Sequence, residues 1–204
     1  MSFASLAFSD FLAAIAARTP APGGGAVASA AGALAGALSE MALRYSITKK
    51  TDESERKTLE NAIASLEAVR TSLLALADAD AAAYAELNRL QKLPEGDPGR
   101  SEIPAAALKA AAIPMETAEK CLEILQIAAG LTQKCNAWLI SDLAIGVILA
   151  HAGLRAGVWN VAMNLGSLSP KDRSNMELRI AEVSTAGDRT ALLAEGACRC
   201  RRPA

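Results

Sequence analysis

From Thr51 to about Leu90 the chain reads as one uninterrupted helix, and that length constrains everything else. Thr51 or Asp52 can cap its start, and Glu53 and Glu55 suit its positive end. Leu59, Ile63, Leu66, Leu73, Ala77, Tyr84 and Leu87 step by threes and fours with one wider gap, the pattern of a buried stripe. At 1.5 Å per residue such a helix stretches roughly 60 Å, so the spacing predicts a kink or an elongated bundle.

The flanking segments read the same way. Ser9-Asp10 starts a short helix that Thr19-Pro20 stops. A helix from about Ala26 to Tyr45 follows, with Gly32 and Gly36 on one face, fit for a central helix or a subunit contact. Leu93 to Gly99 is a break, and helices follow from Pro104 to Gly130 (bent at Pro114), Lys134 to Leu165, and Ser169-Pro170 to near Gly196. Hydrophobic residues make up 51% of the 204, much of it alanine, while aromatics are 3%, which favours helices over strands. The expected fold is all-α: a single-domain bundle of five to six helices over residues 1–204, with 197–204 a frayed tail.

Charge and cysteine usage narrow the function classes. A net charge of -1 provides no broad basic field for a nucleic-acid backbone, and the Arg199, Arg201, Arg202 cluster is short and terminal. Thr19 to Ser39 is uncharged, but it is mostly Ala, Gly and Ser and is not expected to span a membrane. Asp10 and Arg18 interrupt the early apolar run, so no secretory signal is read and a cytoplasmic location is expected, with Cys121, Cys135, Cys198 and Cys200 reduced. Cys198 and Cys200 lack the spacing of a zinc site, and no metal is expected.

Several polar residues interrupt apolar faces. Asp80 falls on the long helix's stripe, three after Ala77 and four before Tyr84. Asp78 sits ~200° away around the same helix, so the two acids cannot share a pocket. Asp80 either pairs with a basic side chain or caps a kink, or it lines a cleft where a partly desolvated acid shuttles protons. Asp142 and Asn160 share a face with Gly146 and Gly153, yet roughly 27 Å of straight helix would separate them. That helix bends, or its ends serve different sites, or two subunits each contribute one end. Asn164 is one turn beyond Asn160, and such an amide pair either reads the edge of a flat heterocycle or ties down backbone. Gly23, Gly24 and Gly25 offer backbone N–H groups at a helix start as an anion seat, with Lys49 and Lys50 as added charge. His151, the sole histidine, reads as an interhelical hydrogen-bonder.

Taken in order, these segments resemble the cyclodeaminase/cyclohydrolase family of folate enzymes. They are Thr19-Pro20-Ala21-Pro22-Gly23-Gly24-Gly25-Ala26-Val27-Ala28, Ile47-Thr48-Lys49-Lys50, Ala77-Asp78-Ala79-Asp80-Ala81-Ala82-Ala83-Tyr84, Lys92-Leu93-Pro94, Asn136, Ser141-Asp142 and Asn160 to Leu165. The resemblance implies an all-helical homodimer and a tetrahydrofolate pocket lined by these motifs, Pro22 and Asn136 included. It also implies that one acid of the Asp78-x-Asp80 pair is the catalytic acid/base, which the stripe narrows to Asp80. No cofactor beyond the tetrahydrofolate substrate is implied. The segment His151 to Ala156 looks closer to the methenyltetrahydrofolate cyclohydrolases than to the formimidoyltetrahydrofolate cyclodeaminases. A non-catalytic folate binder is the further reading, motivated by a shortened loop after Pro94 in which Glu95 replaces a basic residue common there.

Overall fold

The computed structural model describes residues 2–201 and contains six α-helices and no strand among them. They are α1 (Phe8–Ala16), α2 (Gly24–Arg44), α3 (Glu53–Gln91), α4 (Ile103–Leu131), α5 (Ile140–Asn164) and α6 (Pro170–Cys200). Their ends follow local chemistry. The Asp52 carboxylate accepts from Glu55 N at 2.8 Å and starts α3, and Ser169 Oγ accepts from Asp172 N at 3.2 Å with Pro170 in the first turn of α6. Gly96, at φ 88°, makes the turn between α3 and α4 that an L side chain would strain.

The long stripe is buried as its spacing predicts: Leu59, Leu66 and Leu73 are wholly enclosed. Tyr84 departs from it, standing 49% exposed near the helix's C-terminal end. Helices α2 and α5 form an antiparallel central pair, α4 packs on both, α3 closes one side and α6 the other.

Small residues make this close approach possible. A Cβ on Gly32 would lie 2.6 Å from Cys121 Sγ, and one on Gly153 would lie 3.1 Å from the Ala28 carbonyl oxygen. The glycine face of α2 therefore looks inward, which makes α2 the central helix of the two roles its sequence left open. His151 Nε2 lies 2.7 Å from Asp188 Oδ1, joining α5 to α6 as expected.

The tail corrects an expectation. Helix α6 continues through Cys200, Cys198 is 3% exposed, and Arg201 donates to the carbonyl oxygens of Gln133 and Cys135. Of this tail, 202–204, which include Arg202, lie outside the described residues. The helix persists through Cys200 because Cys198 packs into the core and Arg201 ties the last turn to the segment before α5. Among the described residues no cluster of His, Cys, Asp or Glu could hold a metal.

Candidate functional site

One cavity, of about 220 Å³, gathers polar groups from three distant parts of the sequence. The glycine loop and the start of α2 form one wall, Asp80 and Tyr84 of α3 a second, and Asn160 and Asn164 of α5 a third. A cavity of about 290 Å³ under α1 has a single polar lining residue, Arg70, and so offers little chemistry.

Asp80 is half-buried and makes no hydrogen bond or ion pair among the described residues. Of its two sequence-level readings, the structural ion pair is therefore not the one realised. Burial pushes its carboxyl above the ordinary value of 3.8, because a low-dielectric wall disfavours the charged form. The carboxylate reaches the cavity only because residue 25 is glycine: a Cβ there would lie 2.1 Å from Asp80 Oδ2. It thus sits against the first turn of α2, whose leading N–H groups have no intrahelical acceptor.

Asp78 faces elsewhere. Its carboxylate accepts from Ser2 Oγ and, at 2.8 Å, from Phe3 N, fastening the N-terminal segment to α3. It is not among the residues that line the cavity.

The two asparagines are oriented by backbone. Asn160 Nδ2 donates to the Ala156 carbonyl at 3.1 Å, and Asn164 Nδ2 donates to the carbonyls of Asn160 at 2.9 Å and Ala110 at 3.2 Å. Those partners are all acceptors, so each amide must turn its nitrogen toward them, and each oxygen remains available to a ligand donor. Tying down backbone, one of the two alternatives that the sequence offered, is observed for both.

The Ala110 bond has a definite cause. In an α-helix the Ala110 carbonyl would accept from residue 114, but Pro114 has no N–H, and Asn164 supplies the missing donor across the α4–α5 seam. Asn164→Leu is expected to cost about 1–3 kcal/mol by leaving that buried carbonyl unpaired. Adding Pro114→Ala restores an N–H and should recover the loss in urea denaturation, without restoring ligand affinity.

The remaining sequence candidates divide by position. Gly23, Gly24 and Gly25 line the cavity; Pro22 is buried beneath the loop, after a cis peptide, without lining it. Asn136 lies at the other end of α5, accepting from Trp138 N at 3.0 Å, while its own N–H donates to Ser46 Oγ at 2.8 Å. Asp142 is in the first turn of α5, which runs unbroken to Asn164, so Asp142 and Asn160 serve opposite ends of one helix. Lys49 and Lys50 follow the C-terminus of α2, roughly 30 Å from Gly25, and are exposed. Arg100, the arginine of the shortened loop, donates to the Leu93 carbonyl at 2.7 Å.

Tyr84 and Met163, within the motifs quoted for the resemblance, also line the cavity, and Ala110 is the lining residue that sequence reasoning missed. Tyr84 carried a usable signal, standing one turn beyond the out-of-place acid. Burial pushes the Cys121 thiol up to about 12.

Comparison with known proteins places this architecture. The family model described as Formiminotransferase-cyclodeaminase matches residues 7–184. The methenyltetrahydrofolate cyclohydrolase of Methylorubrum extorquens is 31% identical over 85% of this chain and 85% of its own length. The mouse formimidoyltransferase-cyclodeaminase is 30% identical over 78% of this chain, which spans 30% of that longer protein. The crystal structure of formiminotetrahydrofolate cyclodeaminase from Thermotoga maritima superimposes with a TM-score of 0.89 at 28% identity, covering 97% of this chain and 98% of the other. A fold shared almost end to end, together with a family match that takes in both the glycine loop and the α5 asparagines, means that this chain belongs to the formiminotransferase-cyclodeaminase family.

Proposed function

We propose that the chain is a methenyltetrahydrofolate cyclohydrolase in which Asp80 carries the proton. The observation that carries this reading is the unpaired, half-buried Asp80 carboxyl facing a cavity with two asparagine carbonyl oxygens opposite. Those oxygens suit the N–H groups of a reduced pterin, and the negative charge suits the cationic methenyl carbon. The relative from Methylorubrum extorquens, which covers most of the chain, bears the same name.

The chemistry balances on one carboxylate. Asp80 accepts a proton from water as its oxygen bonds to the methenyl carbon. The carbon–N5 bond of the resulting adduct then breaks, Asp80 returns the proton to N5, and the adduct's hydroxyl proton leaves as the formyl C=O forms. Water and the methenyl cation become 10-formyltetrahydrofolate and a released proton. The cavity's part is to hold one rotamer of a flexible substrate beside the acid. Four free cysteines fit a reducing cytoplasm, and a homodimer belongs to the same proposal.

The Thermotoga neighbour, named as a formiminotetrahydrofolate cyclodeaminase, favours a second reading, in which the same acid serves ammonia loss. Purified protein mixed with methenyltetrahydrofolate should accelerate loss of its near-ultraviolet absorbance. Acceleration of methenyl formation from the formimino substrate alone would instead favour the cyclodeaminase, and binding without turnover of either would leave a folate binder.

A further inference from the structure

The glycine-loop wall of the cavity is fixed firmly at one end only. Downstream the loop runs into α2, where Val27 N donates to the Gly23 carbonyl at 3.1 Å. Upstream, the hydrogen bonds of the loop among the described residues stay within it or reach back to α1. Thr19 Oγ1 donates to the Ala21 carbonyl at 3.1 Å, and Ala17 N to the Ala14 carbonyl at 3.3 Å. Pro22 packs beneath the loop but has no N–H with which to add a bond. The upstream half of the loop therefore stands where α1 puts it.

Helix α1 is in turn held from its far end. None of its residues is buried, Phe8 and Leu12 are exposed, and it roofs the cavity of about 290 Å³ instead of filling it. The anchor lies upstream, in the short 3-10 turn Phe3–Ser5, which packs on α3 and whose Phe3 ring lies 6.2 Å from that of Phe11 in α1. Two hydrogen bonds tie this turn to the bundle, and both end on Asp78, whose two carboxylate oxygens accept from Ser2 Oγ and Phe3 N. Ser2 Oγ also accepts from Ala4 N at 3.3 Å, and Ser5 Oγ donates to the Ser2 carbonyl at 2.7 Å, so the turn presents both donors to one acid.

Resting on the cyclohydrolase reading, we infer that Asp78 is a positioning residue: it latches residues 2 and 3 to α3 and so sets, through α1, where the glycine loop stands against Asp80. The two acids point to opposite sides of α3, ~200° apart. One helix thus carries the reacting acid on one side and, on the other, the clasp of the wall opposite that acid. Undoing the clasp leaves Asp80 and both asparagines in place, but only a fraction of the molecules then present a complete cavity. Apparent affinity falls by that fraction, while a complete cavity turns over as before. The clasp does not need a carboxylate. Asparagine can accept from Phe3 N through Oδ1 and donate through Nδ2 to the second lone pair of Ser2 Oγ.

Setting alanine against asparagine at position 78 tests this in turnover. Asp78→Ala should raise KM for methenyltetrahydrofolate about tenfold and leave kcat within about twofold. Its melting curve should stay that of wild type, because α1 buries nothing. Asp78→Asn should remain within about twofold of wild type in both constants. Loss of kcat in both variants would make Asp78 itself the acid/base. A KM that alanine does not move, or an asparagine variant no better than alanine, would remove the latch from the reaction. Each of these results overturns the inference.

Trypsin gives a readout that needs no activity. Arg18 is exposed in the loop, directly before Thr19, and the rate at which a new N-terminus appears at Thr19 follows the population with the latch undone. That rate should rise about tenfold in Asp78→Ala and stay at the wild-type value in Asp78→Asn and Asp80→Asn. Equal rates in all four proteins overturn the latch. Wild type that does not turn over methenyltetrahydrofolate overturns the cyclohydrolase reading, and the role in turnover with it, while the trypsin rates still decide the latch.

Discussion

Asp80→Asn is expected to lower methenyltetrahydrofolate turnover by about 10²–10⁴-fold, the range assigned to a positioned acid/base, while folate still binds. Asparagine keeps the shape of the side chain but cannot accept a proton from water. Stability should move the other way. Burial raises the Asp80 carboxyl above 3.8, so between that value and the raised one the folded protein holds the proton more tightly than the unfolded chain. Stability therefore falls as pH rises through that window, and the cost persists above it. Denaturation at neutral pH should find the asparagine variant at least as stable as wild type, and the advantage should vanish below the window. A variant that is inactive because it is unfolded would show the opposite sign.

Gly25→Ala should be nearly as damaging, by a different route. Alanine is the better helix former by about 1 kcal/mol, so propensity alone favours the change. Yet its Cβ would stand 2.1 Å from one Asp80 oxygen and 2.2 Å from the carboxyl carbon, and no real contact is that close. Either Asp80 swings out of the cavity or α2 shifts away from α3. The expected result is a loss of about 1–3 kcal/mol from overpacking, with activity falling on the order of 10²-fold as the acid leaves its place. The pair should be strongly coupled. In an Asp80→Ala background the clash is gone, and Gly25→Ala should become neutral or stabilising in a double-mutant cycle.

Much of this site was legible in one dimension. The α3 stripe is buried from Leu59 through Leu73, and an acid at its Asp80 position has no local reason to be there. The distance between Asp142 and Asn160 already excluded a shared pocket within one straight helix. What the sequence could not display was contact between segments far apart in the chain. Asp78 stood as the other candidate acid of the pair because its hydrogen-bonding partners, Ser2 and Phe3, lie about 75 residues away. Pro114 suggested a bend, but its consequence, an orphaned Ala110 carbonyl that orients Asn164, exists only where α4 crosses α5. Tyr84 keeps the stripe's spacing yet stands exposed between buried Ala83 and Leu87, since periodicity reports a helix face and not what covers it. The C-terminal arginines looked like a solvated tail, whereas buried Cys198 and the bonds of Arg201 hold that end in place.

The most direct test is the pH dependence of kcat/KM for methenyltetrahydrofolate, with background hydrolysis subtracted, in wild type and Asp80→Asn. A base that must be ionised to take water's proton predicts a rate that falls on acidification, with a midpoint above the ordinary carboxylate value of 3.8, and no such limb in the variant's residual rate. The same limb persisting after Asp80→Asn, or wild-type turnover by that variant, would mean that another group carries the proton.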